Sequence, residues 1–268
     1  MKKISDNIAV TVLMAVITFL LASCAIHVEK FEEGEKTRKT FAVGEFSSIE
    51  VNKGIDVEYI VGDTVSVVVE AGENVVDDME VMTVRGRLTL SYGNTKGVKR
   101  EYITLNEQPV KVKAFITGPS LEEVQINGSG KFDCEDVMNV ESMRICVSGS
   151  GEVYIKNLVA GYLKGHVLGS GDITLDSAAA GLADFEIAGA GDVKATLQRT
   201  DNTNISIAGS GDVDLMLDNC NAAKVSIAGS GEVTLRGSVN TLEQSIAGSG
   251  EIDITKLKTG VPYEPVKE

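Results

Sequence analysis

Ile207-Ala208-Gly209-Ser210-Gly211-Asp212-Val213-Asp214-Leu215 alternates with period two. Ile207, Gly209, Gly211, Val213 and Leu215 share one parity, and Ala208, Ser210, Asp212 and Asp214 share the other. Successive side chains of a strand point to opposite faces, so the first set is predicted inward and the second outward. The phrase occurs seven times from Ile126 onward, with glycine pairs Gly128/Gly130, Gly149/Gly151, Gly169/Gly171, Gly189/Gly191, Gly209/Gly211, Gly229/Gly231 and Gly248/Gly250. The first glycines are spaced 21, 20, 20, 20, 20 and 19 residues apart. A fixed period of this size marks a solenoid or array.

The leucine and asparagine framework of leucine-rich repeats is absent, so two or three short strands per coil fit the unit best. Coils stacked in parallel at ~4.8 Å would place each Ile or Val above its copy and satisfy the backbone everywhere except at the two ends. Glycines at two successive inward positions would let the backbone approach or bend where a narrow coil leaves no room between its walls.

Upstream, Phe46–Val51, Ile55–Val61, Thr64–Glu70, Glu80–Val84, Leu88–Tyr92, Tyr102–Leu105 and Val110–Ile116 read as strands, with turns at Val61-Gly62-Asp63 and Arg85-Gly86-Arg87. No Pro- or Ser-rich linker separates this part from the repeats. Residues 41–125 are therefore expected to form irregular first coils and 126–257 regular ones, with a separate N-terminal sandwich as the alternative. Residues 258–268 form a tail.

Phe46-Ser47-Ser48-Ile49-Glu50-Val51, Gly54-Ile55-Asp56-Val57, Val61-Gly62-Asp63 and the serial Gly-Ser-Gly-[Asp/Glu]-Val units resemble the auto-transporter adhesin, head GIN domain family, a domain of unknown function found in lipoproteins of Bacteroidetes-type bacteria. The resemblance spans about 41–255. It implies an all-β, single-stranded right-handed parallel β-helix carrying an adhesin label, and it brings no catalytic residues.

Composition fits this reading. Glycine contributes 28 of 268 residues and proline only 4, so flexible linker does not account for the glycine, and 43% hydrophobic residues exclude disorder. A net charge of -14 with no basic cluster argues against nucleic acid as a partner. At the N-terminus, Lys2 and Lys3 precede an apolar run from Ile8 to Leu21 that meets Leu21-Ala22-Ser23-Cys24. The run is shorter than the ~20 residues a spanning helix needs and reads as an export signal. Its end resembles a bacterial lipobox, which implies cleavage after residue 23 and lipidation of Cys24. Residues 24–40 are expected to be a charged, solvated tether. An outer-membrane lipoprotein of the cell envelope, periplasm-facing or surface-exposed, is the expected setting.

The residues after each Gly-x-Gly are Lys131, Glu152, Asp172, Asp192, Asp212, Glu232 and Glu251. In stacked coils they form an outward acidic ladder whose neighbours repel by roughly 0.9 kcal/mol before screening. A solvated edge is the plain reading and cation binding the alternative. Three residues before each first glycine stand Gln125, Cys146, His166, Glu186, Ser206, Ser226 and Ser245, so Cys146, His166 and Glu186 fall on consecutive rungs. Thiol, imidazole and carboxylate in that order mimic a nucleophile, base and orienting group, or part of a zinc site. A flat wall without an oxyanion loop argues against both, so no catalytic residue, metal site or cofactor is assigned. Cys134 falls at an inward slot and Cys220 in an interstrand turn.

The sequence thus points to a non-enzymatic, lipid-anchored adhesin or binding scaffold. The partners expected are the membrane through the lipid, an envelope protein or glycan, and other copies through the flat faces. The alternatives are a carbohydrate-active β-helix enzyme, for which the turns are too short to build a groove, and a cation-binding solenoid.

Overall fold

The computed structural model describes residues 35–93 and 111–262, and the strand expected at Tyr102–Leu105 lies outside them, as do Cys24 and residues 1–23. The fold is an all-β solenoid of about 20 residues per turn. Among the described residues, sixteen strands form one sheet: β1 (Lys36–Phe41), β2 (Ser48–Lys53), β3 (Ile55–Val61), β4 (Ser66–Gly72), β5 (Met79–Val84), β6 (Arg87–Tyr92), β7 (Val112–Gly118), β8 (Glu123–Gly128), β9 (Lys131–Gly149), β10 (Glu152–Gly169), β11 (Asp172–Gly189), β12 (Asp192–Gln198), β13 (Asn202–Gly209), β14 (Asp212–Gly229), β15 (Glu232–Gly248) and β16 (Glu251–Thr259).

Within one coil the inward positions run Val153 and Ile155, then Leu158 and Ala160, then Leu163, Gly165 and Val167, all buried. Steps of three residues interrupt the period of two, so each coil turns two corners between its Gly-x-Gly corners and presents three short walls. Register is unbroken over long stretches: Val153 stacks on Phe132 and under Ile173, and Val167 on Val147 and under Ile187. The core is therefore a column of Ile, Val and Leu. Phe185 finds room where the rung before it carries no side chain. Phe185 is fully buried directly over Gly165, where a Cβ would lie 2.8 Å from the ring.

The repeat glycines act along the stack rather than across the coil, which corrects the expectation of facing walls and of two equivalent inward positions. The first glycine of each pair (Gly128, Gly149, Gly169, Gly189, Gly209, Gly229 and Gly248) ends a strand at positive φ and is not fully buried. Gly209 is half-buried, its φ is +144°, and a Cβ there would lie 2.1 Å from the carbonyl oxygen of Gly189 in the preceding coil. That carbonyl accepts the N–H of Ser210 at 2.8 Å, so the close approach is the ladder bond itself.

The second glycines differ. Gly130, Gly151, Gly171, Gly191, Gly211 and Gly231 are buried, lie between strands rather than within them, and are not left-handed, so the period of two does not run through the corner as the sequence suggested. Gly250, in the last turn, is only half-buried. Space alone demands glycine at these positions. A Cβ on Gly130 would lie 2.2 Å from the carbonyl oxygen of Ile55, and one on Gly151 2.5 Å from Cγ2 of Ile126 and 2.7 Å from the carbonyl oxygen of Gly130. Gly171, Gly191 and Gly231 repeat this, each set 2.1–2.4 Å from the carbonyl oxygen of the second glycine one coil earlier and close to Val147, Val167 and Ile207 respectively. These glycines are closed off from solvent, so they shape the corner and offer nothing to a ligand.

The first coil supplies the control for the left-handed position. Lys53 pairs with Gly128 and also has a positive φ, but at 67° rather than 138°, and no Gly-x-Gly turn precedes it. A side chain is accommodated where no such turn stacks ahead.

The irregular strands join the same sheet, since β2 pairs with β8 and β3 with β9, both in parallel. Three pairings are antiparallel: β1 on β4, β4 on β7, and β5 on β6. Arg85 and Gly86, both at positive φ (51° and 77°), close the β5–β6 hairpin in the conformation that matches strand twist. A short helix α1 (Glu73–Asp77) buries Val75 and Val76. Lys36–Thr40, assigned to the tether by its charge, is a strand together with Phe41. Its backbone pairs with β4, and Arg38 binds Glu70 at 2.7 Å, so edge pairing there needs no apolar alternation.

Candidate functional site

The acidic ladder stands in register as the spacing requires, from Lys131 beside Glu152 through Asp172 and Asp192 to Asp212, and with Glu232 beside Glu251. The structure shows how stacked carboxylates are held. Asp172 Oδ1 accepts the backbone N–H of Asp192 at 3.1 Å, Asp192 Oδ1 that of Asp212 at 3.3 Å, and Asp212 Oδ1 that of Glu232 at 3.0 Å. These three aspartates thus serve as acceptors for the next coil, and such charge-assisted bonds offset the repulsion. At the start of the ladder, Lys131 Nζ binds Glu152 Oε2 at 2.5 Å.

Gln125, Cys146, His166, Glu186, Ser206, Ser226 and Ser245 also align on successive rungs. Their side chains do not build a relay. Cys146 Sγ lies 4.0 Å from Ser148 Oγ on its own strand, whereas His166 Nε2 lies 3.9 Å from Glu186 Oε2, which Lys164 also approaches at 3.7 Å. Among the described residues no group of three His, Cys, Asp or Glu side chains is placed to hold a metal ion.

All three described cysteines are free. Cys134 is buried, which pushes its thiol up to about 11. Cys220, placed by the sequence in an interstrand turn, lies within strand β14. It is buried at a corner, its thiol is raised by burial, and Sγ donates to the carbonyl of Leu197 at 3.6 Å.

Two grooves had no sequence signal because their walls come from distant segments. One, of about 680 Å³, crosses the first two coils and is lined by Asp56, Glu58, Lys113, Lys131, Asp133, Glu135, Glu152 and Tyr154 among others. Its charges are largely paired: Lys113 with Glu58, and Lys156 with Glu135 at 2.6 Å. Burial, with Glu135 and Glu58 nearby, raises the Asp133 carboxyl, and the bond from Tyr154 to Asp176 holds the phenol up at about 12. The other groove, about 970 Å³, lies between Phe46, Val61, Val65 and Pro119. Both grooves are open to solvent.

The family described as "Putative auto-transporter adhesin, head GIN domain" matches residues 45–218 and again 199–261. The chain belongs to this family. Among solved structures, the head GIN chain resembles a "putative adhesin" from Bacteroides fragilis NCTC 9343 with a TM-score of 0.69 at 22% identity, over 82% of this chain and 96% of that one. A "putative lipid binding protein" from Parabacteroides distasonis ATCC 8503 gives 0.63 at 22%, over 82% and 96%. A "putative adhesin" from the same organism gives 0.66 at 20%, over 82% and 97%. These likenesses establish the shared fold. No curated protein matches the chain. No helix among the described residues of this head GIN chain is long and apolar enough to cross a membrane.

Proposed function

We propose that this protein is a non-enzymatic cell-envelope adhesin or binding scaffold, anchored through lipid on Cys24 and presenting its solenoid walls to an envelope protein or glycan. The observation that carries the reading is the pair of outward ladders. In the acidic one Asp172, Asp192 and Asp212 each give an oxygen to the next coil, and Cys146 Sγ contacts Ser148 rather than His166, both of which support a structural rather than a catalytic reading. Membership of a family described as adhesins supports the same direction.

The test has two arms. Radiolabelled fatty acid fed to the native host should label the wild-type chain and not Cys24→Ala. The purified chain should bind discrete members of a glycan array or envelope extract without releasing products. Labelling of Cys24→Ala would refute the anchor, and product release abolished by Asp192→Asn would refute the scaffold in favour of an enzyme.

A further inference from the structure

On the third wall of each coil the edge that faces the next coil is occupied until the last turn. Strand β15 pairs with β14 along Thr241–Gly248, but among the described residues β16 covers only Glu232–Val239 of its other side. The inward residues of that segment stack on buried Ala223, Val225 and Ile227, and they are Leu242, Gln244 and Ile246. Ile246 is 45% exposed, whereas Ile227 one coil earlier is 1% exposed. An unpaired edge beside an uncovered apolar column is a template for another strand.

The direction of the free backbone groups follows from the ladder. The N–H of Arg144 donates to the Glu122 carbonyl of the preceding coil at 2.8 Å. By register Arg144 corresponds to Lys164, Asp184, Asn204, Lys224 and Glu243. Backbone groups alternate sides along a strand. Those of Leu242, Gln244 and Ile246 therefore face the open edge.

The chain's own tail is a poor occupant. Gly260 donates to the Asn240 carbonyl at 3.0 Å, so a continuation in the same register would set residue 265 over Ser245. There an N–H must be given to the Gln244 carbonyl, and residue 265 is proline. The opposite end of the solenoid is also unsuitable, because its edge strand β1 carries Lys36, Arg38 and Lys39. Such charges blunt strand addition.

A second C-terminal end fits. Residues 236–262 carry Arg236, Lys256 and Lys258 against Glu243, Glu251 and Asp253, so this end is neutral in a chain of net charge -14. We infer that two copies join end to end through Thr241–Gly248, antiparallel, about a two-fold axis at Gln244. That register sets Leu242 against Ile246 of the second copy and Gln244 against itself, so the backbone groups of all three find partners. Glu243 then faces Ser245 rather than a like charge. The two apolar columns become one, and the roughly 20–30 residues a standard interface needs from each side match one terminal coil with its corners.

Sedimentation of the full-length chain in detergent, at tens of micromolar, tests the inference. The wild type is expected to be a dimer. Gln244→Pro removes an N–H that the chain's own solenoid does not use, and Ile246→Lys adds a charge at the seam; both are expected to be monomers with unchanged circular dichroism. Amide exchange at Leu242, Gln244 and Ile246 should slow with rising protein concentration in the wild type. A monomeric wild type, a dimer indifferent to both substitutions, or exchange that is fast at every concentration would each overturn the proposal. Lipidation and glycan binding do not enter this test.

Discussion

At the N-terminal end, antiparallel strands β1, β4 and β5, with the buried Val75 and Val76 of α1, close the apolar column. At the C-terminal end the phrase Ile246-Ala247-Gly248-Ser249-Gly250 is the same as in the middle coils, yet Ile246 is half-exposed. A repeat supplies stacking but not termination. Each Gly-x-Gly turn is shaped to receive the turn before it, so the series has a built-in beginning at Lys53-Gly54 and no built-in end.

The largest break should come from a middle turn. Gly209→Val puts a side chain into the Gly189 carbonyl and into a backbone conformation that valine resists, and the two costs together are about 4 kcal/mol or more. Thermal unfolding should show a large drop in Tm, while Lys53→Gly, at the equivalent position without a preceding turn, should unfold near the wild type.

One phrase position sharpens the contrast between the ends. Ile126 is fully buried, and Ile126→Ala should cost about 3 kcal/mol in denaturant titration. Ile246→Ala, measured in the monomer, should cost less than about 1 kcal/mol because half of the side chain already meets water.

In the acidic ladder a smaller effect is expected. Asp192→Ala removes the acceptor for the Asp212 N–H and should cost about 1 kcal/mol. Asp192→Asn keeps an acceptor oxygen, removes a repelling charge, and should leave the midpoint within ~0.5 kcal/mol of the wild type.

The most local effect is at the N-terminal edge. The Arg38 guanidinium, with help from Lys36, holds the Glu70 carboxyl below its ordinary range. A carboxylate depressed in the fold contributes stability above its unfolded value near 4.5 and loses it as pH falls through the folded one. Protection of the β1 amides, corrected for the intrinsic exchange rate at each pH, should therefore fall below pH 4.5 while that of the middle coils does not.

The regular coils were legible because their information is local. A period of two fixes inward and outward faces, and a period of 20 fixes which residues stack, so the register of Cys146, His166 and Glu186 followed from counting. Counting could not say which way those side chains turn, and the thiol faces Ser148 instead of the imidazole. Nor could it separate the two glycines of a pair, because a corner that bends at Gly209 and packs tightly at Gly211 still reads as unbroken alternation. The strand at Lys36–Phe41 escaped notice because charged residues on an edge carry no apolar signal, and Cys220 because a corner residue breaks the alternation that would mark it as inward.

Sequence by itself determined the solenoid, the composition of its column and the two outward ladders, because each coil repeats one pattern and meets only its neighbours. Tertiary structure alone decided the rest: how the ends differ, how stacked carboxylates are satisfied, and which grooves form between segments far apart in the chain. Those features depend on pairings such as β2 with β8 and β4 with β7, which join residues with unrelated local patterns.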